Sequence, residues 1–511
     1  MRPPTLKTLL SIMCDQSTDA KKLIENAWQF GEKSHSGQKR LSGDPYFNHP
    51  SLVALYLAEI GMDRNTIAAG LLHDILEDTP TSSAVLEEKF GTEIKVLVEG
   101  VTRLGSIKHE GYGWEGHTES LRRLFWTTAQ DIRTIIIKLV DRLHNMQTLE
   151  FHTKEKQQEK AKETMELYAP IADRLGIGRL RQDLEDLSFS FIHPEKYKET
   201  QKLQKEKLLI NKKRIDSLHK ALKIELAKLK TAYFQTEIHE KGLYRLYKKI
   251  ERKGGNLDQI YDYFTFSVVV PTPSDCYKTM GAIHSKWRPL PNKIKDFIAF
   301  PKPNGYQGIE TTVFSDDGEL LEIHIFTKEM LLQAKYGIAF LLSPKEFLPT
   351  LGDAEKQSFS FSNFIYSLFK VFTKRESVNL IKGKIDIPAW LQKMVETQKS
   401  IIKPKDFIDG LTRDFLNHRI FVFTSRGDVV DLPQGSSGVD FAYTMGSEVG
   451  NHIRSVRIDH KECPFAQELR NGDIVEIETD SKIEPVKEWL KCAKTIAAQQ
   501  LINSYLQKSK K

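Results

Sequence analysis

Four short stretches of this chain carry side chains that could hold one divalent metal ion. They are Asn48-His49-Pro50, His73-Asp74, Glu77-Asp78 and Asp141 within Asp141-Arg142-Leu143-His144-Asn145. Imidazoles and carboxylates suit an ion such as Mn2+ or Zn2+. The chemistry such a set supports is metal-dependent phosphohydrolysis. A metal-bound water is acidified, and a carboxylate within reach can take its proton. His73, Asp74, Glu77 and Asp78 lie in Leu71-Leu72-His73-Asp74-Ile75-Leu76-Glu77-Asp78, which reads as a helix. Positions 73 and 77, and 74 and 78, are i,i+4 pairs, so one helical turn would carry two ligands with two further carboxylates just beyond. A lone His-Asp pair on a helix is usually an exposed polar pair, and a lone helix end of the DRLHN type is usually a salt-bridged surface. The combination, widely spaced and set in helices each time, points to one metal site.

The elements that must position these groups are helical. Residues from about 18 to 195 read as nearly all helix, with apolar positions recurring at three and four, as in Val53-Leu55-Tyr56 and Ile135-Ile136-Ile137-Leu139-Val140. A helix near Ser82 to Phe90 should stop at Gly91. Ile107 to Thr118, rich in Gly and His, reads as a loop beside the site. A basic helix, about 196 to 230, should act as a connector. Its lysines and arginine (Lys205, Lys207, Lys212, Lys213, Arg214) alternate with leucines at helical spacing, which favours a solvated amphipathic face over an RNA contact.

From about 231 to 345 the pattern changes to mixed α/β. Phe264–Val270 is a β-branched and aromatic run stopped by Pro271. Glu310–Phe314 and Leu320–Phe326 read as strands joined by a turn at Asp316-Asp317-Gly318. Ser274 to Trp287 reads as a helix. Residues 346 to 415 form a helical or linker region, with a polar and aromatic loop at Ser358 to Asn363. A small domain over 416–480 orders a hairpin (Ile420–Phe423, Val429–Leu432), a helix (Asp440–Tyr443) and a strand (Ile474–Ile477), which is β-grasp-like. A final helix runs from about 485 to the end of the chain near 507–511.

Composition sets the bounds. The chain has 511 residues, 40% hydrophobic and 28% charged, enough for three or four globular domains. No apolar run is long enough to span a membrane, and the first ten residues lack a signal-peptide pattern. The four cysteines are scattered with no CxxC pair, so a disulfide framework or zinc-thiolate site is not expected and a reducing cytoplasm is the natural setting. A net charge of +7 permits a nucleotide or RNA partner without demanding one.

At this point the motifs carry a resemblance. Gly37-Gln38-Lys39-Arg40-Leu41-Ser42-Gly43-Asp44-Pro45-Tyr46-Phe47-Asn48-His49-Pro50, the HDILED element (His73–Asp78), Lys138–Met146 and Ala169–Ile177 resemble the RelA/SpoT homologues, which make and degrade the alarmones ppGpp and pppGpp. The resemblance covers the chain from about residue 18 to its end. It implies an all-α HD-type hydrolase domain (18–195), a mixed α/β nucleotidyltransferase-like synthetase domain (231–345) and a β-grasp TGS-like domain. It implies His49, His73, Asp74 and Asp141 as ligands to Mn2+, and Glu77 and Asp78 as the carboxylates that orient and activate the attacking water. Arg40 and Ser42 match positions that hold guanine and nearby parts of the nucleotide, and Asn145 and Thr148 match positions near ribose and phosphates. Leu41 stands where many members carry a base, and Asp173 where His is common.

The synthetase-like domain departs repeatedly from the same family. The frame survives in Lys295–Gln307, and Asp262 and Glu322 match the two carboxylates expected to serve Mg2+ and a 3′-hydroxyl. Yet Ser267 and Phe326 stand where the family has Arg, His324 replaces Gln, Glu310 replaces His, Gly308 replaces Ser, and His239 replaces the Arg before Lys241. Pyrophosphate transfer gathers negative charge that fixed cations must stabilise. Each such loss typically costs about 2–4 kcal/mol of transition-state stabilisation. The expectation is a degenerate synthetase, kept for structure or nucleotide sensing. In long members the TGS domain meets the end of uncharged tRNA. Gly446 replaces a frequent His there, which weakens that role.

The leading expectation is a cytoplasmic Mn2+-dependent hydrolase of the 3′-pyrophosphate of guanosine tetra- or pentaphosphate. Two alternatives stay open at this level: a bifunctional synthetase and hydrolase, and a non-catalytic regulator that binds alarmone, tRNA or the ribosome.

Overall fold

The computed structural model describes residues 3–105, 131–229, 235–255, 260, 263–291, 293–302, 304–343 and 419–508. The expected loop at Ile107–Thr118, the region 346–415 with its Ser358–Asn363 loop, and Asp262 lie outside the described residues. The described residues up to 343 belong to one compact unit and residues 419–508 to another. No helix among the described residues is long and apolar enough to cross a membrane.

The named elements of the described N-terminal part are all helices, and three matter most. Asn48–Glu59 buries Leu52, Val53 and Leu57; Arg64–Leu72 buries Ile67, Leu71 and Leu72; Arg133–Gln147 buries Ile135, Ile136, Ile137, Leu139 and Val140. Each such side chain contributes roughly 1.5–3 kcal/mol on burial, so helix propensity matters less here than the shared apolar face. Arg64–Leu72 starts at Asp63, whose carboxylate accepts the N–H groups of Asn65 and Thr66 at 3.0 and 3.1 Å. Gly70 lets this helix press on its neighbour: a Cβ there would lie 2.4 Å from Leu57 Cδ1.

His73 to Asp78 is not one helix. Arg64–Leu72 ends at His73, Asp74 turns the chain, and a single turn resumes over Ile75–Asp78. The His73 Nδ1 lies 2.9 Å from the Gly70 carbonyl, the acceptor that a continuing helix would offer to the Asp74 N–H. The side chain competes with the backbone for that carbonyl, and the helix breaks. The break at Gly91 is real (φ +83°), but the helix resumes beyond it and the whole element spans Ser83–Gly105.

The second part is a five-stranded mixed sheet in the order β1-β2-β5-β4-β3, with β1 Gln235–Glu240, β2 Phe264–Val270, β3 Lys295–Asp296, β4 Ile309–Phe314 and β5 Leu320–Thr327. β2 and β5 run parallel and the other pairs antiparallel. β1, β3 and the helix Leu243–Arg252 had no clear sequence signal. The basic helix, Pro194–Ala227, does more than connect. Its Ile215, Leu218, Leu222 and Leu226 are part of the core under this sheet, and Arg214 pairs with Asp317 and Glu319 of the β4–β5 turn.

The helical part and the sheet part meet backbone to backbone. The Ile338 N–H donates to the Leu175 carbonyl at 2.9 Å, and Asn304 Nδ2 donates to the Asp173 carbonyl at 3.2 Å. Gly337 makes this possible: a Cβ there would lie 2.2 Å from the Leu175 oxygen.

The second unit is a sheet ordered β7-β6-β10-β8-β9, formed by β6 Arg419–Thr424, β7 Val429–Pro433, β8 Ile453–Ile458, β9 Lys461–Cys463 and β10 Ile474–Thr479. β6 and β10 are parallel, as a β-grasp requires. β8 and β9 were not read from sequence. The final helix is two helices, Trp489–Cys492 and Ile496–Lys508. Buried Asp440 explains the break: its carboxylate accepts the N–H groups of Lys494 and Thr495.

Candidate metal centre

Three helices deliver the site. His49 enters from the first turn of Asn48–Glu59, His73 from the end of Arg64–Leu72, and Asp141 from the middle of Arg133–Gln147. Ligand atoms of these three buried residues all lie within 4.8 Å of one another. His49 Nε2 stands 3.1 Å from Asp141 Oδ1 and 3.6 Å from Asp74 Oδ2. His73 Nε2 stands 3.1 Å from Asp74 Oδ1 and 3.8 Å from Asp141 Oδ1. All four predicted ligands therefore converge, although their sequence separation is nearly a hundred residues.

The donor set fits a divalent cation. His73 Nε2 is buried and makes no hydrogen bond of acceptable geometry, while its Nδ1 is held by the Gly70 carbonyl. A buried nitrogen without a well-formed hydrogen bond, facing two carboxylates, is what an absent cation would leave behind. The electrostatics agree. Burial opposes a charge on His73, but Asp74 and Asp141 outweigh it and raise its pKa to about 9. Burial wins at His49, whose pKa falls, with the neighbouring His73 charge adding to the effect. Asp141 pays for its burial with a buried lysine: Lys138 is the largest of the influences that hold its carboxyl well below the usual range.

Asp141 is braced on both oxygens. Lys138 Nζ lies 2.8 Å from Oδ2 and Asn145 Nδ2 donates to Oδ1 at 2.6 Å. Asn145 in turn accepts from Arg40 Nη2 at 2.7 Å. Arg40, Ser42 and Thr148 line a cavity of about 280 Å3 together with Leu41 and Tyr46. Leu41 is 69% exposed there. Ser42 Oγ donates to Asp44, and Thr148 sits at the end of the Asp141 helix.

Glu77 and Asp78 follow on the short turn after the ligands. Packing behind Glu77 lifts its carboxyl to about 7; the neighbouring carboxylates of Asp74, Asp78 and Asp141 add to the rise, and Lys138 opposes it. The Tyr46 hydroxyl donates toward both Asp74 and Asp78, tying a predicted ligand to a carboxylate outside the set.

Tyr46, Lys138 and His144 were not singled out in the sequence. Lys138 and His144 lie three residues either side of Asp141, on one helix face, and that spacing was the available signal. Burial first, then His49 and Arg40, lower the pKa of His144 to about 3.

Three known families match the chain: the HD domain over residues 27–178, the region found in RelA / SpoT proteins over 239–346, and the TGS domain over 420–479. The guanosine-3′,5′-bis(diphosphate) 3′-pyrophosphohydrolase of Aquifex aeolicus is 38% identical over 492 residues, which cover 96% of this chain and 65% of that protein. The chain belongs to the RelA/SpoT family. The GTP pyrophosphokinase of Myxococcus xanthus, another RelA/SpoT relative, is 36% identical over 498 residues, covering 96% of this chain and 61% of its own length. The pyrophosphohydrolase of Haemophilus influenzae is 35% identical over 473 residues, covering 93% and 65%. This RelA/SpoT chain thus spans under two thirds of the length of these relatives, whose names carry both hydrolysis and synthesis.

Within the region found in RelA / SpoT proteins, the described polar groups largely satisfy one another. Glu310 takes Lys295 at 3.1 Å and the Tyr306 hydroxyl at 2.8 Å. Lys302 Nζ sits 4.3 and 4.4 Å from the ring centres of Phe297 and Tyr306, and burial lowers its pKa. Glu322 lies 3.7 Å from Lys241. Gly308 and Phe326 are a matched pair: a Cβ at Gly308 would lie 2.6 Å from the Phe326 ring.

Proposed function

We propose that this chain is a Mn2+-dependent hydrolase that removes the 3′-pyrophosphate of ppGpp or pppGpp, giving GDP or GTP and pyrophosphate. The convergence of His49, His73, Asp74 and Asp141 on one buried point, with Glu77 and Asp78 beside it, carries this reading. The hydrolase names of several relatives support it. His49 and His73 would hold the ion through Nε2, and Asp74 and Asp141 through their carboxylates. A bound divalent ion would supply Lewis acidity toward a phosphoryl oxygen and toward water.

The chain's own residues do the rest. Glu77, with a carboxyl near 7, is matched to taking a proton from water at neutral pH. Asp78 shares the Tyr46 hydroxyl with Asp74, so it is held beside that carboxylate. Arg40, held by Asn145, lines the cavity, where a nucleotide phosphate or a guanine edge would meet it. Ser42 and Thr148 offer hydroxyls to the same ligand.

The decisive experiment incubates purified protein with Mn2+ and labelled ppGpp. Pyrophosphate release by the wild type, lost in Asp74→Ala, is the expected result. No release, or equal release by both, would sink the reading.

We infer further that the synthetase-like domain is inactive. Phe326 fills space against Gly308 where the family has a cation, and Glu310 consumes Lys295. A site that must stabilise phosphoryl charge cannot spend its lysines on its own carboxylates. The retained Glu322, Lys302 and Tyr306 favour the bifunctional alternative, as does the pyrophosphokinase name of some relatives.

A further inference from the structure

We infer that His144 is a positioning residue for metal binding: it accepts the Nδ1–H of His49 and so keeps the His49 Nε2 lone pair facing Asp74 and Asp141. This rests on the metal-centre reading above.

The two Nδ1 atoms lie 2.7 Å apart, with ring centres 4.7 Å apart. Both rings are buried, at 1% and 6% exposure. Two nitrogens at that distance must share one hydrogen, because two bare lone pairs would repel and two N–H groups would clash. Only two arrangements exist for neutral rings. If His144 donates, the His49 hydrogen sits on Nε2, where Asp141 Oδ1 at 3.1 Å takes it, and no ion can be ligated there. If His49 donates, Nε2 is bare and faces the carboxylates. A bound ion selects the second arrangement, and it needs an acceptor at Nδ1.

His73 has a different device for the same task. Its Nδ1 meets the Gly70 carbonyl, which can only accept, so its tautomer is fixed in advance. His49 has no carbonyl there; its partner can accept or donate. The helix Arg133–Gln147 therefore supplies Asp141 as a ligand and, three residues on, the group that prepares a ligand from another helix.

The test measures Mn2+ affinity of the full chain by competition with a chelating dye, alongside the melting temperature of the metal-free protein. His144→Asn keeps an acceptor near the Nδ1 position; His144→Leu has the same shape without it, and His144→Ala repeats the loss without bulk. The expected result is an affinity about 10–100-fold weaker for Leu and Ala, with Asn within about threefold of wild type. Metal-free melting of Asn and Leu should agree, so that the affinity difference is not one of folding. The inference is overturned if Leu and Ala bind within about twofold of wild type, or if Asn falls as far as they do. Failure of the wild type itself to bind Mn2+ overturns the metal centre, and this inference with it. That outcome is read on the unmodified chain alone.

Discussion

Lys138 and Asp141 form a buried ion pair one helical turn apart, with Nζ 2.8 Å from Oδ2. The pair decides which carboxylate oxygen is left for the centre. Oδ2 belongs to the lysine, and Oδ1 faces His49 Nε2. Removing the lysine leaves Oδ2 of a buried carboxylate without its cation. Lys138→Met should therefore lower the stability of the metal-free protein at pH 7 by about 3–5 kcal/mol. Urea unfolding followed by far-UV circular dichroism measures this, and a change under about 1 kcal/mol would mean that solvent reaches Asp141.

Glu77 and His73 should fail in different ways. Glu77→Gln removes a proton acceptor but no ligand, so turnover should fall about 10²–10⁴-fold with Mn2+ affinity unchanged. His73→Ala should lose both. Steady-state kinetics and a metal titration on the two variants separate the roles. Equal metal loss in both would place Glu77 among the ligands.

Incubation with ATP, GDP and Mg2+ should yield no ppGpp. Thin-layer chromatography of labelled nucleotide is sufficient, and any ppGpp formed would restore the bifunctional reading. Phe326→Arg alone should not recover synthesis, since Glu310 still holds Lys295 and Ser267 still lacks a cation.

Gly337 is a packing requirement between the helical part and the sheet part. It has φ +54°, and an added Cβ would lie 2.2 Å from the Leu175 oxygen and 2.4 Å from the Gly176 carbonyl carbon. Gly337→Ala should cost upwards of about 2 kcal/mol, because neither backbone can move without losing the Ile338 to Leu175 hydrogen bond. Limited proteolysis near residues 173–178 should accelerate in the variant; an unchanged rate and melting temperature would refute the contact.

Glu59 should make stability pH-dependent. Burial raises its carboxyl from 4.5 to about 7. Between those values the unfolded chain has released the proton that the folded chain still holds. Stability therefore falls as pH rises through this window, by up to about 3 kcal/mol at pH 8. Glu59→Gln should change little at pH 5 and stabilise at pH 8. Unfolding midpoints at the two pH values test it, and a pH-independent difference would argue against a shifted carboxyl.

Much of the site was legible because its chemistry is written in residue type. His49, His73-Asp74 and Asp141 are polar groups in strongly periodic apolar helices, so they stand out as exceptions that burial must justify. The helical face that buries Ile135, Ile136 and Leu139 also fixes the direction of Asp141. Short or polar elements were harder to read. β3 has two residues and β9 three, too few for alternation to register. β1 reads Gln-Thr-Glu-Ile-His-Glu, with almost no apolar content, and is a strand because β2 pairs with it along its whole length.

The sequence by itself determined the candidate ligand types, the helical frame and the family, since these depend on local pattern and residue chemistry. The tertiary structure alone decided two things. It gave His49 its histidine partner, because the helices Asn48–Glu59 and Arg133–Gln147 pack side by side. And it turned a basic connector into part of a core, because its leucines found a sheet to cover. Each of these is a contact between groups that spacing alone does not bring together.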